Sequence, residues 1–235
     1  MLLINCDLGE RGIAHQIDDQ LVKCIGMANI ACGGHAGNQE SVDYYVNLCK
    51  DNNVKITAHI SYPDRNGFGR NIIDITDDAL IKSFDEQFAL FDGIQTIKPH
   101  GALYNELNKN AILARLFVDW CIKSNVNELV TSPFGVVGKY AKAQNIKILA
   151  ESFVERGYML DDNAIPVLIP RGMPNAEIDT VERALLQFNQ LSNGFIDIDS
   201  KNIAFNSDTI CIHSDSAIAL ELVKVLYEKF MIDGR

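Results

Sequence analysis

Short apolar segments alternate with amphipathic segments along the whole chain, and this alternation limits the fold more than any other feature. Segments 76–91 and 112–121, for example, repeat apolar side chains at helical spacing. Strands that alternate with helices form repeated βα units around a parallel sheet. The predicted strands are residues 2–6, 27–32, 55–60, 94–98, 128–131, 146–150 and 209–212, with 165–169 as a further short strand or an extended loop.

No linker or shift in composition divides the chain, so residues 1–235 are predicted to form one domain. A chain of this length can bury a large core. The first prediction is an α/β fold, a distorted parallel (β/α) barrel with about seven strands, and the alternative is a doubly wound open sheet. In both architectures the carboxyl ends of the parallel strands form the functional face.

Side chains that can carry charge or protons follow the predicted strands. Because these strand ends meet on one face of a parallel fold, the pattern predicts a catalytic or binding cleft there. Taken one at a time, each such residue is equally compatible with a loop cap or a hydrogen bond to the backbone. The residues are His35, His59, His100, His213, Asp7, Glu151 and Asp215, whereas His15 lies in a predicted loop.

Segment 97–105 holds the densest group of such residues, and we predict a strand end that runs into a loop. Alternation along the strand places Lys98 and His100 on the same side. Pro99 removes a backbone donor, and Gly101 allows a sharp turn after the imidazole. Tyr104 adds a phenol to the cation and the imidazole, as expected of a functional site.

The composition excludes several classes of protein. Hydrophobic residues make up 47% and charged residues 22%, which excludes a disordered chain. The net charge of -10 argues against nucleic acid or an anionic membrane as the main partner, although Lys98 and Arg70 still allow a small anionic substrate. No segment resembles a signal peptide or a membrane span, so we expect a cytoplasmic protein.

The cysteine pattern predicts buried, reduced thiols. No CxxC pair occurs, and this spacing supports neither a disulfide framework nor a zinc–thiolate site. The six residues are Cys6, Cys24, Cys32, Cys49, Cys121 and Cys211.

Four longer motifs, at residues 5–10, 28–37, 58–64 with 67–70, and 98–105, together resemble the LamB/YcsF family. Residues 151–158 resemble a further motif of that family. The chain departs from the usual pattern at Gly34, at Asn38 with Gln39, at Asn71 and at Glu155. The likeness extends from residue 5 to His213 in the family's order.

The resemblance implies a barrel of the glycoside hydrolase/deacetylase type and a role as the A subunit of a prokaryotic 5-oxoprolinase. That enzyme hydrolyses 5-oxo-L-proline (pyroglutamate) to L-glutamate with ATP as co-substrate, together with partner subunits B and C. The sequence contains no GxxxxGK[ST] loop. We therefore expect nucleotide to bind through another loop or mainly through the partner subunits.

Hydrolysis of a lactam needs an activated water, stabilisation of the developing oxyanion and a proton for the departing nitrogen. Asp7 or Glu151 is proposed as the general base, and His59 or His100 as the proton donor. Lys98 and Arg70 are cationic partners for a substrate carboxylate, an oxyanion or a phosphorylated intermediate. The predicted catalytic residues are Asp7, His59, Lys98, His100 and Glu151, and the predicted substrate-binding residues are Asn5, Asn29, His35, Arg70, Tyr104, Arg156 and His213.

A divalent metal is compatible with the sequence but not required by it. Asp7, His35 and His59 are the candidate ligands, since an Asp-His-His set suits zinc or a similar ion. Two alternatives to the oxoprolinase function follow: a metal-dependent amide hydrolase or carbohydrate deacetylase on the same barrel, and a non-catalytic protein that binds substrate or serves as a scaffold in a complex.

Overall fold

A closed barrel of seven parallel strands occupies the centre of the computed structural model, which describes residues 2–232. The prediction of a distorted parallel (β/α) barrel is confirmed, and the open sheet is wrong. Residue 1 and residues 233–235 of the predicted 1–235 domain lie outside the described part. Around the barrel the strands follow the order β1 (Leu3–Leu8), β11 (Thr209–Cys211), β6 (Lys147–Phe153), β5 (Glu128–Thr131), β4 (Thr96–Pro99), β3 (Lys55–Ile60) and β2 (Met27–Ala31).

Eight helices in the described residues follow the apolar periodicity of the sequence, and side-chain caps fix several of their starts. Asn38 accepts a hydrogen bond from the backbone N–H of Ser41 and forms a capping box with it, while Thr76 caps the next long helix. The helices are α1 (Gln16–Leu21), α2 (Gln39–Asp51), α3 (Asp77–Phe88), α4 (Gly101–Lys109), α5 (Ala111–Lys123), α6 (Val136–Ala143), α7 (Val181–Ser192) and α8 (Ala219–Ile232).

Helix α4 corrects the prediction of a loop after residue 100. Gly101 has φ +55° and starts the helix directly after the strand, and the backbone N–H of Ala102 donates to the carbonyl of Gly69. Leu103 and Leu107, one helical turn apart, are both fully buried. The alternation of Lys98 and His100 predicted an extended chain up to residue 100. The helix begins immediately after it, so no loop separates the two patterns in the sequence.

Within residues 2–232, two small antiparallel hairpins lie outside the barrel. The optional strand at 165–169 is β8 (Pro166–Leu168), which pairs with β7 (Tyr158–Leu160). The second hairpin, β9 (Phe195–Ile198) with β10 (Lys201–Ala204), was not predicted. Glu151 was predicted to follow its strand. Strand β6 continues to Phe153, so Glu151 lies within the strand.

The barrel interior is layered from apolar to polar along the strand direction. Met27, Val130 and Leu149 form a separate apolar cluster near the amino ends of the strands. Two residues further along their strands, Asn29 and Glu151 begin a polar layer. The barrel therefore presents its polar interior side chains toward the carboxyl ends, where the cleft was predicted.

The residues that alternate with this layer face the helices and form the main core. On β1, Ile4, Cys6 and Leu8 belong to that core. Fully burying one side chain the size of Leu or Phe contributes about 1.5–3 kcal/mol, so this outer shell supplies most of the stabilisation that holds the polar interior in place. No helix in the part of the chain that the structure describes is long and apolar enough to cross a membrane.

Five of the six cysteines are buried thiols, as predicted: Cys6, Cys32, Cys49, Cys121 and Cys211. Cys24 is partly exposed.

Candidate active site

Lys98 is the centre of the polar layer inside the barrel. Its side chain is 3% exposed, and its Nζ lies 3.0 Å from Oδ1 of Asp7 and 3.0 Å from Oε1 of Glu151. Nζ also lies 3.0 Å from Sγ of Cys211 and 3.3 Å from Oδ1 of Asn5. One buried ammonium thus joins three strands of the barrel through two carboxylates and a thiol.

Two amide side chains fix these carboxylates. The Nδ2 group of Asn5 donates to Oε1 of Glu151 at 3.1 Å and to Oγ1 of Thr209 at 2.8 Å. The Nδ2 group of Asn29 donates to Oδ1 of Asp7 at 2.8 Å and to Oδ1 of Asn5 at 2.7 Å. The predicted substrate-binding residues Asn5 and Asn29 are fully buried here, where they orient the charged groups around Lys98.

Asp7 and Lys98 each stabilise the charged form of the other. Burial alone raises the pKa of Asp7, but Lys98 and then His59 hold it well below its usual value. Burial likewise lowers the pKa of Lys98, but Asp7 is first among the partners that hold it well above its usual value. The pair is therefore charged at neutral pH despite its burial.

Three imidazoles and Glu10 form a second cluster above Asp7. Nε2 of His59 lies 3.5 Å from Oδ2 of Asp7, and 3.0 Å from Nδ1 of His100. Oε1 of Glu10 lies 3.0 Å from Nε2 of His35 and 3.6 Å from Nδ1 of His100. The rings of His35 and His100 are stacked, with centroids 3.7 Å apart and planes inclined by 3°.

Burial dominates the titration of this cluster. It raises the pKa of Glu10 to about 7, with the charge of Asp7 as the second cause. Desolvation lowers the pKa of His35 to about 3 and holds that of His100 well below its usual value. His35 and His100 are thus neutral next to a carboxyl that exchanges protons near physiological pH.

A cleft of about 510 Å³ opens onto this cluster. Glu10, His35 and Phe68 line it, so the deeper residues are reached through them. Arg65 also lines the cleft, and its Nη1 donates to the carbonyls of Gly33 at 3.0 Å and Gly37 at 2.9 Å. The loops after β2 and β3 are held together across the cleft by this guanidinium.

The loop after β3 packs directly on the imidazole stack at Gly69. This glycine has φ +64°, and a methyl group on it would lie 2.9 Å from Cδ2 of His100 and 2.9 Å from Cβ of His35. The preceding carbonyl, of Phe68, accepts a hydrogen bond from Nε2 of His100 at 2.9 Å. Only glycine fits here without moving either ring.

Replacing Gly69 by Ala is therefore expected to displace the imidazole stack. We expect a loss of about 1–3 kcal/mol in the free energy of unfolding, from overpacking and from the left-handed backbone. Gly93→Ala is the matched control, because Gly93 has φ +70° but nothing within 4 Å of the added methyl group. Urea unfolding of both variants gives the comparison, and equal losses would show that the backbone alone carries the effect.

Arg70 lies at the rim of the cleft side of the barrel, where its Nη2 donates to Oδ2 of Asp215 at 2.8 Å. Both side chains are well exposed, at 41% and 38%. The Arg70 guanidinium also lies 5.0 Å from the ring centroid of Phe68. An anionic ligand could therefore bind the Arg70 guanidinium either alongside the Asp215 carboxylate or in its place.

His213 is paired with Glu155 through Nδ1, and its backbone N–H donates to the same carboxylate at 3.3 Å. Its ring stacks on Phe153, with centroids 5.2 Å apart. Burial opposes protonation of this ring, but Glu155 outweighs it and raises the pKa of His213. His213 is therefore held in its charged form above the pH at which a free histidine loses its proton.

This pair is expected to make stability depend on pH. Because the pKa of His213 is raised on folding, the stabilisation is fully present below the unfolded value of about 6.5 and is lost as the pH rises through the folded value. His213→Asn is expected to flatten the change in free energy of unfolding between pH 6 and pH 9. Urea titrations at a series of pH values measure this, and a variant with the unchanged slope would assign the dependence to another group.

Arg156 and Tyr104 are placed differently from the other predicted substrate-binding residues. The guanidinium of Arg156 donates to the carbonyls of Ala176 at 2.9 Å and Ile169 at 2.7 Å, so its observed bonds hold the long loop after β8. Tyr104 lies on α4 and packs edge-on against Phe153, and its buried hydroxyl has no hydrogen-bond partner among the described residues.

Two residues of the site, Glu10 and Cys211, are not among the site residues predicted from the sequence. Glu10 belongs to the motif at 5–10, and Gly9, with φ +75°, turns the chain so that this carboxylate reaches the histidines. A carboxylate just past a strand end was the available signal. Nothing in the sequence indicates that the Cys211 thiol faces Lys98.

The departure at Gly34 also has a structural reason. A side chain at this position would collide with Ser61 and Gln87. These two residues bind each other twice, since the backbone N–H of Ser61 donates to Oε1 of Gln87 at 2.9 Å and Nε2 of Gln87 donates back to the Ser61 carbonyl at 2.9 Å. The close approach of the loop to this pair leaves room only for glycine.

Comparison with known proteins identifies relatives over almost the whole chain. The family model described as LamB/YcsF matches residues 2–234. A protein of Haemophilus influenzae (strain PittEE), named as the A subunit of 5-oxoprolinase, is 31% identical over 237 residues, which cover 96% of this chain and 94% of the relative. A protein of the same name from Pyrococcus abyssi (strain GE5 / Orsay) is 35% identical over 243 residues, with the same two coverages.

A solved structure has the same fold. The crystal structure of the lactam utilization protein from Thermus thermophilus superposes with a TM-score of 0.84 at 26% sequence identity. The match covers 99% of this chain and 97% of that one.

Proposed function

Because the chain belongs to the LamB/YcsF family, we propose that it is the A subunit of a 5-oxoprolinase, which opens 5-oxo-L-proline to L-glutamate with ATP and two partner subunits. Relatives that carry the name of this 5-oxoprolinase component support the function at the level of the family. Within the site, the observation that carries the proposal is the buried Asp7–Lys98 pair beneath a cleft lined by further titratable groups.

The substrate class agrees with the charges around the cleft. A cyclic amide with a carboxylate needs a cation for the carboxylate and a donor for the carbonyl oxygen. Arg70 at the rim is the exposed cation, and a substrate carboxylate would replace that of Asp215 in its contact. Lys98 supplies a fixed positive charge in a water-poor interior, where charge stabilisation is stronger than in solvent.

Asp7 is our candidate for the proton-transferring group. Its Oδ1 accepts from Lys98 and Asn29, whereas Oδ2 faces Nε2 of His59 at 3.5 Å and is the oxygen left for a reactant. As an ionised carboxylate it accepts a proton from the attacking water and returns it to the departing nitrogen. In this assignment Glu151, which binds Lys98 and Asn5 on the inner side, positions the lysine rather than taking the proton.

ATP is proposed to activate the amide, which is unreactive, by transferring its γ-phosphoryl group to the amide oxygen and leaving ADP. Water then adds to the carbonyl carbon, the C–N bond breaks as the nitrogen takes a proton, and hydrolysis of the resulting carboxyl phosphate by a second water gives L-glutamate and phosphate. The helix-starting loops of this chain lack the GxxxxGK[ST] pattern. We therefore propose that the partner subunits supply most of the nucleotide contacts, and that this chain supplies the polar centre at which the ring opens.

Glutamate formation from 5-oxo-L-proline and ATP tests the proposal, with this chain supplied alone, with both partner subunits, and omitted from the mixture. We expect turnover only when this chain and its partners are present together, with ADP formed alongside glutamate. Turnover by the partners without this chain would overturn the proposal. Release of acetate from an N-acetyl sugar without ATP would favour the deacetylase alternative instead.

A further inference from the structure

Donor side chains that could hold a metal ion form two groups in the described residues. Among the described residues, the groups of four or three donor side chains with atoms within 4.8 Å of one another are Glu10 with His35, His59 and His100, and Asp7 with Cys211 and His213. The trio Asp7, His35 and His59 is not among them. The ammonium of Lys98 lies 3.0 Å from both Asp7 and Cys211, so the second group would place a cation against a cation.

The hydrogen bonds that His59 and His100 make to backbone carbonyls leave one nitrogen lone pair on each ring, and these two lone pairs face each other. Nδ1 of His59 lies 3.0 Å from the carbonyl of Lys98, which only accepts, so this nitrogen carries the proton. Nε2 of His100 lies 2.9 Å from the carbonyl of Phe68, and by the same reasoning it also carries the proton. In the neutral rings, Nε2 of His59 and Nδ1 of His100 are therefore both bare acceptors, yet they lie 3.0 Å apart.

Two bare imidazole nitrogens at that distance need a cation between them or beside them. Glu10 offers such a cation a third ligand, because its Oε1 lies 3.6 Å from Nδ1 of His100 and carries a negative charge when the carboxyl is ionised. Two imidazoles and a carboxylate form a three-ligand set that leaves a position open for water or substrate, as in catalytic zinc sites. The open position would face the cleft, which Glu10 lines.

The distances suit a transition-metal ion without rearrangement of the backbone. Bonds of about 2.0–2.2 Å place the ligand atoms of a tetrahedral site roughly 3.3–3.6 Å apart. The separation of 3.0 Å between His59 and His100 and that of 3.6 Å between His100 and Glu10 bracket this range, and the ligand atoms of His59 and Glu10 lie within 4.8 Å of each other. Each of these two histidines also donates its other ring N–H to a backbone carbonyl. Histidines that bind metals are usually oriented by a hydrogen bond of this kind.

His35 has a different part in this arrangement. Its ring is parallel to that of His100 at 3.7 Å, so an ion in the plane of one ring lies out of the plane of the other. Its Nε2 instead lies 3.0 Å from Oε1 of Glu10 and holds the carboxylate in place. His35 is therefore a positioning residue for the ligand Glu10.

We propose that Glu10, His59 and His100 bind one divalent transition-metal ion, such as zinc, at the floor of the cleft. The two imidazoles are borderline ligands and favour zinc, cobalt or nickel over magnesium or calcium, which prefer a site made of oxygen ligands alone. An ion there occupies the lone pairs of both histidines, which leaves proton transfer to Asp7. The proposal concerns binding alone and does not depend on which reaction the protein carries out.

Metal binding is measured directly on the full chain, first stripped with a chelator and then titrated with Zn²⁺ by calorimetry and with Co²⁺ by visible absorption. We expect one equivalent to bind and Co²⁺ to give the visible bands of a site with histidine ligands. His100→Gln and Glu10→Gln are expected to weaken binding roughly 10- to 100-fold or more. His15→Gln is the matched control, because His15 lies beside Arg11 and Asp18, away from this cluster.

Glu10→Gln guards against a folding artefact, since the amide keeps the size of the side chain. Circular dichroism of each stripped variant checks that it is folded. Binding of unchanged affinity in both folded variants would overturn the proposal, as would the absence of binding to the wild-type chain at 1:1 and tenfold excess Zn²⁺. In the latter case the two nitrogens share a proton, and the pair acts as a buried imidazolium.

Discussion

Lys98→Met is expected to cause the largest loss of both stability and turnover. The substitution leaves Asp7 and Glu151 buried without their shared cation, each with its Lys98 contact of 3.0 Å removed. Removing one partner of a buried ion pair costs about 3–5 kcal/mol, because the remaining charge is uncompensated. Loss of a preorganised charge that stabilises an oxyanion reduces kcat roughly 100- to 1,000-fold. Urea unfolding and glutamate formation measure the two effects.

Lys147→Met is the control for the stability effect. Lys147 also bridges to a carboxylate, with Nζ 2.8 Å from Oε1 of Glu128, but its side chain is 69% exposed. An exposed ion pair contributes about 0–1 kcal/mol, so this variant is expected to remain close to wild type in both measurements. Similar losses in Lys98→Met and Lys147→Met would contradict a special role for the buried lysine.

Asp7→Asn is expected to remove turnover while leaving the chain folded and able to form the complex. The amide oxygen still accepts from Lys98 and Asn29, so the geometry of the centre is retained. The neutral side chain no longer accepts a proton, and loss of a general base costs roughly 100- to 10,000-fold. Turnover with the partner subunits and complex formation by gel filtration are the two measurements.

Asp43→Asn is the matched control, since Asp43 lies on α2 and its contact, from Nε2 of Gln39 at 2.8 Å, is exposed. We expect this variant to turn over substrate at the wild-type rate. If Asp7→Asn kept turnover within about threefold of Asp43→Asn, Asp7 would not be the general base. If it failed to form the complex, the loss of turnover would report assembly instead.

The positions of most strands and helices were predictable from the sequence. Short apolar segments mark the strands, helical spacing and cap residues mark the helices, and each of these signals depends only on residues close together in sequence. Asn38 and Thr76, for example, cap helices α2 and α3. The seven barrel strands also lie close to their predicted positions. Helix α4 and the hairpin of β9 and β10 escaped prediction because a short helix joined directly to a strand, or two four-residue strands, give too few residues for a clear period.

Local sequence patterns predicted that polar side chains gather at one end of the parallel strands, and thus that Asp7, His59, Lys98, His100 and Glu151 lie on one face. Their partners follow from tertiary contacts, and so does the position of Glu151, which lies within β6 and not after it. Closure of the barrel places Lys98 between β1 and β6, and the turn at Gly9 brings Glu10 to the histidines. Which atoms meet depends on strand order, register and loop paths, and these are set by contacts between residues far apart in sequence. Local patterns fix the side on which a side chain lies, whereas its charge state and its partners depend on the packed interior.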